Sequence, residues 1–349
     1  MSRILATATA VPSNRVTQAQ AREIAARIYR GRPELERLLP VFERTGVETR
    51  HLVHPPDFYE QGRTFDERNA SFADKGAELA EQAVRDCLGK AKLPADKIDH
   101  LFLTTTTGLA TPSVDALLAH RLGMRSDVKR SPLFGLGCAG GVAALARAGE
   151  YVRAFPKQRA LLVSLETCSL VFSTKAMTDT DLVGAALFGD GAFAAIVGGD
   201  EVAPAGPRIV FTRSHLFPGS EGLMGWKFTS DGMRLVLSRE VPGFVRDQLK
   251  PAVERFLMEY ALTRSKIRHF LLHPGGPAVL EAYRDAFGFD ELTLDPIRVS
   301  MARHGNLSSA AVPFLLHDLL ASGRARPGDK ALLVALGPGF AAEMALVGW

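Results

Sequence analysis

Three residues of this chain have side chains that could act together in nucleophilic catalysis: Cys138, His273 and Asn306. An apolar run at 132–136 predicts a short strand before Cys138, and the alanine-rich segment after it predicts a helix packed closely through the two glycines of GCAGG. Unpaired N–H groups and the dipole at a helix N-terminus favour a thiolate, so we expect a lowered pKa for Cys138. The position favours a nucleophile, and the alternative is a small buried cysteine in a helix–sheet contact.

The histidine and the asparagine occupy positions that suit a binding site. His273 ends the predicted strand IRHFLLH and is followed by PGGP, which places it at a C-terminal strand edge, where α/β sheets bind ligands. Asn306 lies just before a predicted helix in RHGNLSSA. Taken singly, the histidine could be a structural hydrogen-bonding residue and the asparagine an N-cap. Taken together with Cys138, they predict a nucleophile, a base and a hydrogen-bond donor.

The composition limits the class of protein. A chain of 349 residues, 46% of them hydrophobic, is long enough for two ordinary domains or one large double domain. The net charge of +4 suits a small anionic ligand, and the dense basic runs of a nucleic-acid binder are missing. Three scattered cysteines predict neither a disulfide framework nor a metal site. No secretory signal or long apolar stretch is found, so we expect a cytoplasmic protein without a membrane span.

The pattern of elements predicts an α/β fold with a wound, largely parallel sheet. In the first half, strands and helices alternate at 4–11, 17–45, 73–91, 98–108, 112–122, 132–136, 138–154 and 160–167. A similar succession of predicted strands and helices follows at 186–199, 207–215, 243–260, 267–273, 277–287, 308–321 and 330–336. The string ALLV occurs in the last buried strand of each half, which favours a duplicated unit with halves 1–200 and 201–349 and active residues where they meet. Cys87 lies on an apolar helical stripe and is expected in the core.

Five motifs, in one order over nearly the whole chain, resemble those of the type III polyketide synthases, the chalcone synthase-like family. They are GCAGG with Cys138, LFGDGA at 187–192, HPGGPA with His273, GNLSSA with Asn306 and LGPGF at 336–340. The resemblance implies a five-layered αβαβα thiolase-like fold and a homodimer. It also implies an acyltransferase that loads an acyl-CoA starter on the cysteine and condenses it with malonyl-CoA, without a cofactor. The histidine and the asparagine would hold the thioester oxygen.

The resemblance also implies roles around the triad. Phe188 of LFGDGA matches a gatekeeper between a CoA tunnel and the cavity, and Ser308 belongs to the pocket. The GPGF loop, which is expected to shape the cavity, comprises Gly337, Pro338, Gly339 and Phe340. Basic side chains that pair with the CoA phosphates, and the residues of HPGGPA beside them, are expected at Arg37, Arg44, Arg50, Gly275, Gly276 and Ala278. Pro40 stands where the family usually has another basic residue.

Departures from the plant members of the family concern the product. Leu235 stands where those enzymes carry a second gating phenylalanine, Trp226 where they carry a glycine, and Cys168 where threonine is frequent. The stretch MGWKFTSDGMRLVLSREVP is similar to bacterial alkylpyrone and alkylresorcinol synthases. We therefore expect an apolar side tunnel along Cys168, Val171 and Leu235, a medium or long acyl starter, and an alkyl α-pyrone or alkylresorcinol product. The alternative is a malonyl-CoA-primed synthase of the tetrahydroxynaphthalene or phloroglucinol type, which Cys168 also suits.

Other classes of protein share single features with this sequence. A β-ketoacyl-ACP synthase III has the same fold and a similar order of residues, but LFGDGA and GPGF fit the polyketide branch better. A papain-like protease also has the order Cys, His, Asn. However, the sequence that typically surrounds the cysteine of these proteases is missing here, and so is their secretory signal. A catalytically silent scaffold is disfavoured by the complete triad. Delivery of the starter by an acyl carrier protein stays open.

Overall fold

The structure is a computed structural model that describes residues 1–172 and 178–349. Its strands in chain order are β1 (Ser2–Ala10), β2 (Asn14–Thr17), β3 (Thr49–Leu52), β4 (His100–Thr105), β5 (Lys129–Phe134), β6 (Arg159–Thr167), β7 (Asp190–Gly199), β8 (Arg208–Leu216), β9 (Met224–Thr229), β10 (Gly232–Leu237), β11 (His269–Leu272), β12 (Lys330–Gly337) and β13 (Ala341–Gly348). Its helices are α1 (Gln18–Ile28), α2 (Leu35–Leu38), α3 (Val41–Arg44), α4 (Pro56–Glu60), α5 (Phe65–Ser71), α6 (Ala77–Ala91), α7 (Val114–Arg121), α8 (Gly140–Ala154), α9 (Asp179–Leu187), α10 (Val241–Phe244), α11 (Lys250–Met258), α12 (Pro277–Phe287), α13 (Glu291–His304) and α14 (Ala311–Ser322).

The main sheet has nine strands in the order β11-β12-β13-β8-β1-β7-β6-β4-β5. Only β4 with β5, β4 with β6, and β11 with β12 pair in parallel, and the remaining pairs are antiparallel. The expectation of a largely parallel sheet is therefore wrong. One cause is the short connection at 338–340 between β12 and β13, because so tight a turn can only join antiparallel neighbours.

The two halves of the sheet repeat one strand order. The order β1-β7-β6-β4 has two antiparallel pairs and then a parallel one, and β8-β13-β12-β11 has the same sequence of directions. The ALLV strings at 160–163 and 331–334 lie in β6 and β12, which hold the same place in this order. The halves meet where Ser2 and Arg3 of β1 pair with Ile209 and Arg208 of β8.

The central strands are buried on both faces. In β6, Leu161, Val163 and Leu165 pack in the core that α6 covers, while Ala160 and Leu162 pack in the core that α8 covers. Because side chains alternate along a strand, a strand covered on both sides is a continuous apolar run, as ALLV is. Helix α8 contacts strands of both halves, so Cys138, which precedes this helix, lies between them.

Several element boundaries differ from the sequence expectations. The expected helix at 17–45 is broken into α1, α2 and α3, and Gly31, Pro33 and Pro40 lie in or beside the breaks. The expected strand at 186–199 starts too early, because α9 continues to Leu187. The helix at 277–287 is confirmed, and Cys87 is fully buried as expected.

Candidate active site

Cys138 lies in a short 3₁₀ turn, Gly137–Ala139, that leads directly into α8. The first two residues of this helix are glycines, because the helix approaches the segment around Ser309 very closely. A Cβ on Gly141 would lie 2.1 Å from the carbonyl oxygen of Ser309. This contact places Cys138 against the segment that carries Asn306 and Ser308, which confirms the close packing expected for this helix.

The Cys138 thiol is protonated at rest. Its side chain is buried, and its Sγ lies 3.6 Å from the Ser308 hydroxyl oxygen. Burial raises the pKa of Cys138 to about 12, with a further contribution from the charge of Glu166 and only partial opposition from the Ser308 hydrogen bond. The expected lowering of this pKa is wrong, because removal of the thiolate from water outweighs the helix N-terminus. A nucleophilic attack by this sulfur would therefore require the loss of its proton.

His273 and Asn306 present neutral nitrogens to each other. Burial lowers the pKa of His273 to about 4, so its imidazole is uncharged at neutral pH. The Asn306 carbonyl oxygen accepts a 2.8 Å hydrogen bond from the backbone N–H of Ser308, which turns its amide nitrogen toward His273. That nitrogen lies 3.4 Å from His273 Nε2. The arrangement can supply two uncharged donors to a single oxygen atom.

Cys138, His273 and Asn306 line one cavity, with about 40 Å³ of room inside and about 560 Å³ when the space open to solvent is included. Most of the wall is apolar and comes from the β9–β10 hairpin and from the end of α9. Among the expected pocket residues, those that line it are Phe188, Cys168, Trp226, Leu235, Ser308 and Pro338. The cavity therefore brings the triad and six expected pocket residues together.

Four other expected pocket residues, Val171, Gly337, Gly339 and Phe340, do not line this cavity. Val171 is 1% exposed and its carbonyl oxygen accepts a hydrogen bond from Arg68, so the expected side tunnel does not pass along it. Phe340 is fully buried in the main core. A Cβ on Gly337 would lie 2.3 Å from the Leu136 carbonyl oxygen. Gly337 thus supports the turn before Cys138 from behind.

Arg50 is buried and does not face the CoA entrance. Its guanidinium donates hydrogen bonds to the carbonyl oxygens of Ala185 (2.6 Å), Ala186 (2.6 Å) and Phe188 (2.8 Å). These carbonyls end α9, where a cation compensates the negative end of the helix. The expected role of Arg50 in CoA binding is therefore wrong, and the residue instead fixes the backbone at Phe188. Burial lowers the pKa of Arg50 to about 10, against the opposing effect of Asp190.

Backbone hydrogen bonds connect Asn306 to the residues on either side of Phe188. The Asn306 N–H donates to the Leu187 carbonyl oxygen at 2.8 Å, and the Gly189 N–H donates to the Asn306 carbonyl oxygen at 3.1 Å. Phe188 and Asn306 thus form an isolated parallel bridge between α9 and the segment after α13. A shift of the backbone at Phe188 would therefore also move the backbone of Asn306.

A wider cleft of about 420 Å³ leads from His273 to the surface. Arg44, Gly275, Gly276 and Ala278 line it, as the sequence suggests. Arg37 lies outside the lining, and its guanidinium is 3.3 Å from the carboxylate of Asp179, which does line it.

The cleft also contains Arg239, a residue that sequence reasoning missed. Both Arg44 and Arg239 are exposed, and within 1–172 and 178–349 no carboxylate forms an ion pair with either guanidinium. The sequence feature that could have identified Arg239 is its position directly after GMRLVLS, at the end of the strand that forms the cavity wall. The mouth therefore offers two uncompensated positive charges.

Glu166 is a second residue that sequence reasoning missed. It is completely buried and accepts hydrogen bonds from Ser309, from the Thr107 hydroxyl (2.8 Å) and from the Thr106 N–H (3.2 Å). Burial raises its pKa to about 7, although these hydrogen bonds oppose the shift. The Thr106 hydroxyl accepts a 3.1 Å hydrogen bond from the Trp226 indole N–H, which holds the hairpin over the cavity. A glutamate in the otherwise apolar strand ALLVSLET was the available signal.

Comparisons with known proteins agree with this geometry. The family model of the chalcone and stilbene synthases, N-terminal domain, matches residues 1–201, and that of the 3-oxoacyl-[acyl-carrier-protein] synthase III C terminal matches residues 257–349. A putative chalcone synthase of Bacillus subtilis (strain 168) is 36% identical over 100% of this chain and 99% of its own. A 1,3,6,8-tetrahydroxynaphthalene synthase of Streptomyces peucetius subsp. caesius is 40% identical over 99% of this chain and 93% of its own.

Solved structures give the same result. The crystal structure of 1,3,6,8-tetrahydroxynaphthalene synthase from Streptomyces coelicolor A3(2) superimposes with a TM-score of 0.94 at 30% identity, covering 99% of each chain. The chain therefore belongs to the type III polyketide synthases, the chalcone synthase-like family. It is an acyltransferase with an α/β thiolase-like fold, in a family that uses CoA thioesters. In the part of the chain that the structure describes, no helix has the length and apolar character needed to cross a membrane.

Proposed function

We propose that Cys138 carries the acyl group and that His273 and Asn306 hold the thioester oxygens. In loading, the Cys138 sulfur bonds to the thioester carbon, the CoA sulfur leaves, and the thiol proton passes through the His273 imidazole to the leaving sulfur. In extension, malonyl-CoA loses CO₂ and the electron pair of the broken bond moves to the thioester oxygen as an enolate. The enolate carbon then bonds to the acyl carbon on Cys138, whose thiolate leaves.

The proposal is supported by the charge state of the site. A neutral His273 and the Asn306 amide can donate to a developing negative charge inside a largely apolar cavity, where such donors act most strongly. A carboxylate in place of the asparagine would repel the enolate. Because these donors supply the stabilisation, we propose that no metal and no other cofactor take part.

For the starter unit, we propose malonyl-CoA itself. The observation that carries this choice is the small cavity around Cys138, with about 40 Å³ of room inside. An apolar protein cavity of about 150 Å³ is the size that holds a benzene ring. A small starter suits such a space, whereas a long alkyl chain requires the wall at Trp226 or Phe188 to move. Relatives named as tetrahydroxynaphthalene synthase and phloroglucinol synthase support a malonyl-derived aromatic product.

A second candidate is an alkyl α-pyrone or alkylresorcinol synthase with a fatty acyl starter. The apolar part of the cavity wall favours it, since Met224, Leu235 and Leu237 could pack against an alkyl chain. Each methylene buried there would contribute about 0.8 kcal/mol to starter affinity. Under this candidate, the rate would rise with the chain length of the acyl-CoA.

One incubation series separates the two candidates. The enzyme is given malonyl-CoA alone and malonyl-CoA with acyl-CoA thioesters of four to twelve carbons, and products are identified by mass spectrometry. We expect the main product from malonyl-CoA alone and little competition by longer thioesters. Trp226→Gly should admit the longer starters, whereas Trp349→Gly, at the chain's other tryptophan, should not. A dominant alkylpyrone from the unaltered enzyme would decide for the second candidate.

The same interpretation extends to partners and organisation. We propose a homodimer that acts in the cytoplasm, in which the segments 1–200 and 201–349 are duplicated halves. Support for the dimer comes from β5, which ends the main sheet and exposes Phe134. The basic mouth at Arg44 and Arg239 suits the phosphates of CoA and also the phosphopantetheine arm of an acyl carrier protein.

A further inference from the structure

A second cavity lies on the far side of Phe188, beneath helix α1. It has about 100 Å³ of room inside and about 750 Å³ when the space open to solvent is included, and its wall is mainly apolar. Its apolar wall includes Ala21, Ile24, Ile28, Leu52, Phe58 and Phe172. Cys138, His273 and Asn306 do not line it, and Phe188 is the residue that it shares with the catalytic cavity. The second cavity is therefore separate from the site of condensation.

The charges on its wall all have one sign. Arg50, Arg63 and Arg68 line the second cavity, while none of the described lining residues is an aspartate or a glutamate. Arg50 is 2% exposed and Arg68 is 4% exposed. A charge buried to this degree is normally compensated by an opposite charge.

Neither buried guanidinium forms an ion pair within the described residues, and the nearest opposite charges, Asp190 for Arg50 and Asp231 for Arg68, act from a longer distance. Arg68 donates to the carbonyl oxygens of Leu170 and Asp231, both at 3.0 Å, and the hydrogen bonds of Arg50 also end on uncharged oxygens. No carboxylate of the described residues lies within 4.0 Å of either guanidinium. Burial lowers the pKa of both side chains, with Asp190 opposing the shift at Arg50, and Tyr29 and Asp231 opposing it at Arg68. The apolar space thus has a positive wall.

Arg63 places a third cation where this wall reaches solvent. Its side chain is 35% exposed, and its guanidinium carbon lies 5.2 Å from the centre of the Phe58 ring. It pairs with Glu67 at 3.0 Å in a partly exposed contact that is worth little. An incoming carboxylate can therefore compete with Glu67 for Arg63 while its apolar part enters the cavity.

We propose that the second cavity binds a free medium-chain alkyl carboxylate. The carboxylate group lies at Arg63, and the chain runs along α1 toward the outer face of Phe188. The apolar wall selects the chain, and the excess of positive charge on that wall, with Arg63 at its mouth, selects the charge of the ligand. The room inside holds only part of the chain, and the rest of a chain of about six to eight carbons lies in the space that opens to solvent. This site does not depend on the starter or the product of the synthase.

The test is a calorimetric titration of the full-length enzyme with octanoate, octanol and octylammonium. We expect octanoate to bind at least tenfold more tightly than octanol, since the charged group gains a charge-assisted contact, and octylammonium to bind more weakly still. Arg63→Gln should weaken octanoate binding about tenfold and leave octanol unchanged. Free CoA, which occupies the cleft at Arg44, should not displace octanoate.

Variants of α1 locate the site. Ala21→Phe should fill the cavity and abolish binding of octanoate, while Ala19→Phe, at an exposed position of the same helix, should not. Ile28→Trp is a second filling variant, and circular dichroism shows which variants are folded. The proposal is overturned if octanol binds as tightly as octanoate, if CoA displaces octanoate, or if a folded filling variant still binds it.

Discussion

Burial sets the protonation states around Cys138. It raises the pKa of Cys138 to about 12 and lowers that of His273 to about 4, so both side chains are neutral at pH 7. Burial also raises the pKa of Glu166 to about 7, which leaves it near half ionisation. In the proposed roles of nucleophile and base, the uncharged Cys138 and His273 create charge only when a substrate is present. The electrostatic groups of the site then stabilise the charge that forms during the reaction and do not stabilise a resting ion pair.

The Asn306 amide should matter more for decarboxylation than for loading. Asn306→Ala removes one donor from the enolate oxygen, and we expect release of CO₂ from malonyl-CoA to fall by about 10²–10³. Acylation of Cys138, followed by mass spectrometry of the intact protein, should persist and serves as the internal control. Unchanged CO₂ release would contradict the role assigned to this residue.

The buried histidine should make stability depend on pH. Its pKa is lowered from 6.5 to about 4 in the folded state, so below pH 6.5 the unfolded chain takes up a proton that the folded one does not. The stability associated with neutral His273 is therefore complete above pH 6.5 and declines as the pH falls toward 4. As the pH falls from 6.5 to 4, we expect the unfolding free energy of His273→Gln to rise by about 3 kcal/mol relative to that of the unaltered protein.

Urea unfolding of both proteins at several pH values measures this difference, since every other titrating group is common to the two and cancels. A difference in unfolding free energy that does not change between pH 7 and pH 4.5 would count against a buried neutral imidazole.

Among the structural elements, the C-terminal end of α9 is held mainly by one side chain. Arg50 connects the carbonyl oxygens of Ala185, Ala186 and Phe188 to β3, and Gln18 also donates to that of Ala186, so Arg50→Met leaves the buried Ala185 and Phe188 carbonyls without their arginine donor. We expect a loss of about 3–5 kcal/mol in unfolding free energy. Arg30→Met, at an exposed position after α1, is the control and should change stability by less than about 0.5 kcal/mol. Chemical denaturation measures both, and equal stability of the two variants would show that the contacts of Arg50 are dispensable.

The cleft predicts which arginines attract the CoA phosphates. Arg44→Glu and Arg239→Glu should raise KM for malonyl-CoA with little change in kcat, because these residues meet the part of the substrate that does not react. The effect should shrink in high salt, since both side chains are exposed. Arg37→Glu should have a smaller effect, because Arg37 lies outside the lining and already pairs with Asp179.

An N-acetylcysteamine thioester, which has no phosphates, provides the control for this series. If it suffers the same rise in KM, the two arginines act on something other than the CoA phosphates.

The sequence predicted these elements unevenly, for physical reasons. Helix α12 was predicted correctly because it is a continuous amphipathic segment that starts at a proline. The strand expected at 186–199 began too early because ALF fits a buried strand as well as a helix end, and only the contacts with Arg50 decide. Arg50 itself was misplaced because an arginine in a short segment gives no local sign of burial. Its partners are carbonyl oxygens more than one hundred residues away.

In the whole molecule, the proposed catalytic residues come from both regions of the sheet that share one strand order. Cys138 precedes α8 beside the first half, and His273 follows β11, the outermost strand of the second. The repeated ALLV strings hold the same place in the two strand orders, and the duplication of the halves stays a prediction, whereas the strand directions were not predictable. Parallel and antiparallel neighbours can have the same apolar pattern when both faces are covered. The Cys138 pKa was missed for the same reason, since burial is a property of the assembled halves.

The free edge of the main sheet leads to the last prediction, which concerns the dimer. Strand β5 pairs with β4 on one side only, and an uncovered strand edge invites pairing with another chain. Phe134 at its end is 44% exposed and lies 6.5 Å, between ring centres, from Phe228, which is also exposed. We expect the unaltered enzyme to sediment as a dimer and Phe134→Glu to shift it toward the monomer. Leu292→Glu, at a more exposed apolar residue on α13, should stay dimeric. A monomeric unaltered enzyme, or a Phe134→Glu variant that remains fully dimeric, would place the interface elsewhere or remove it.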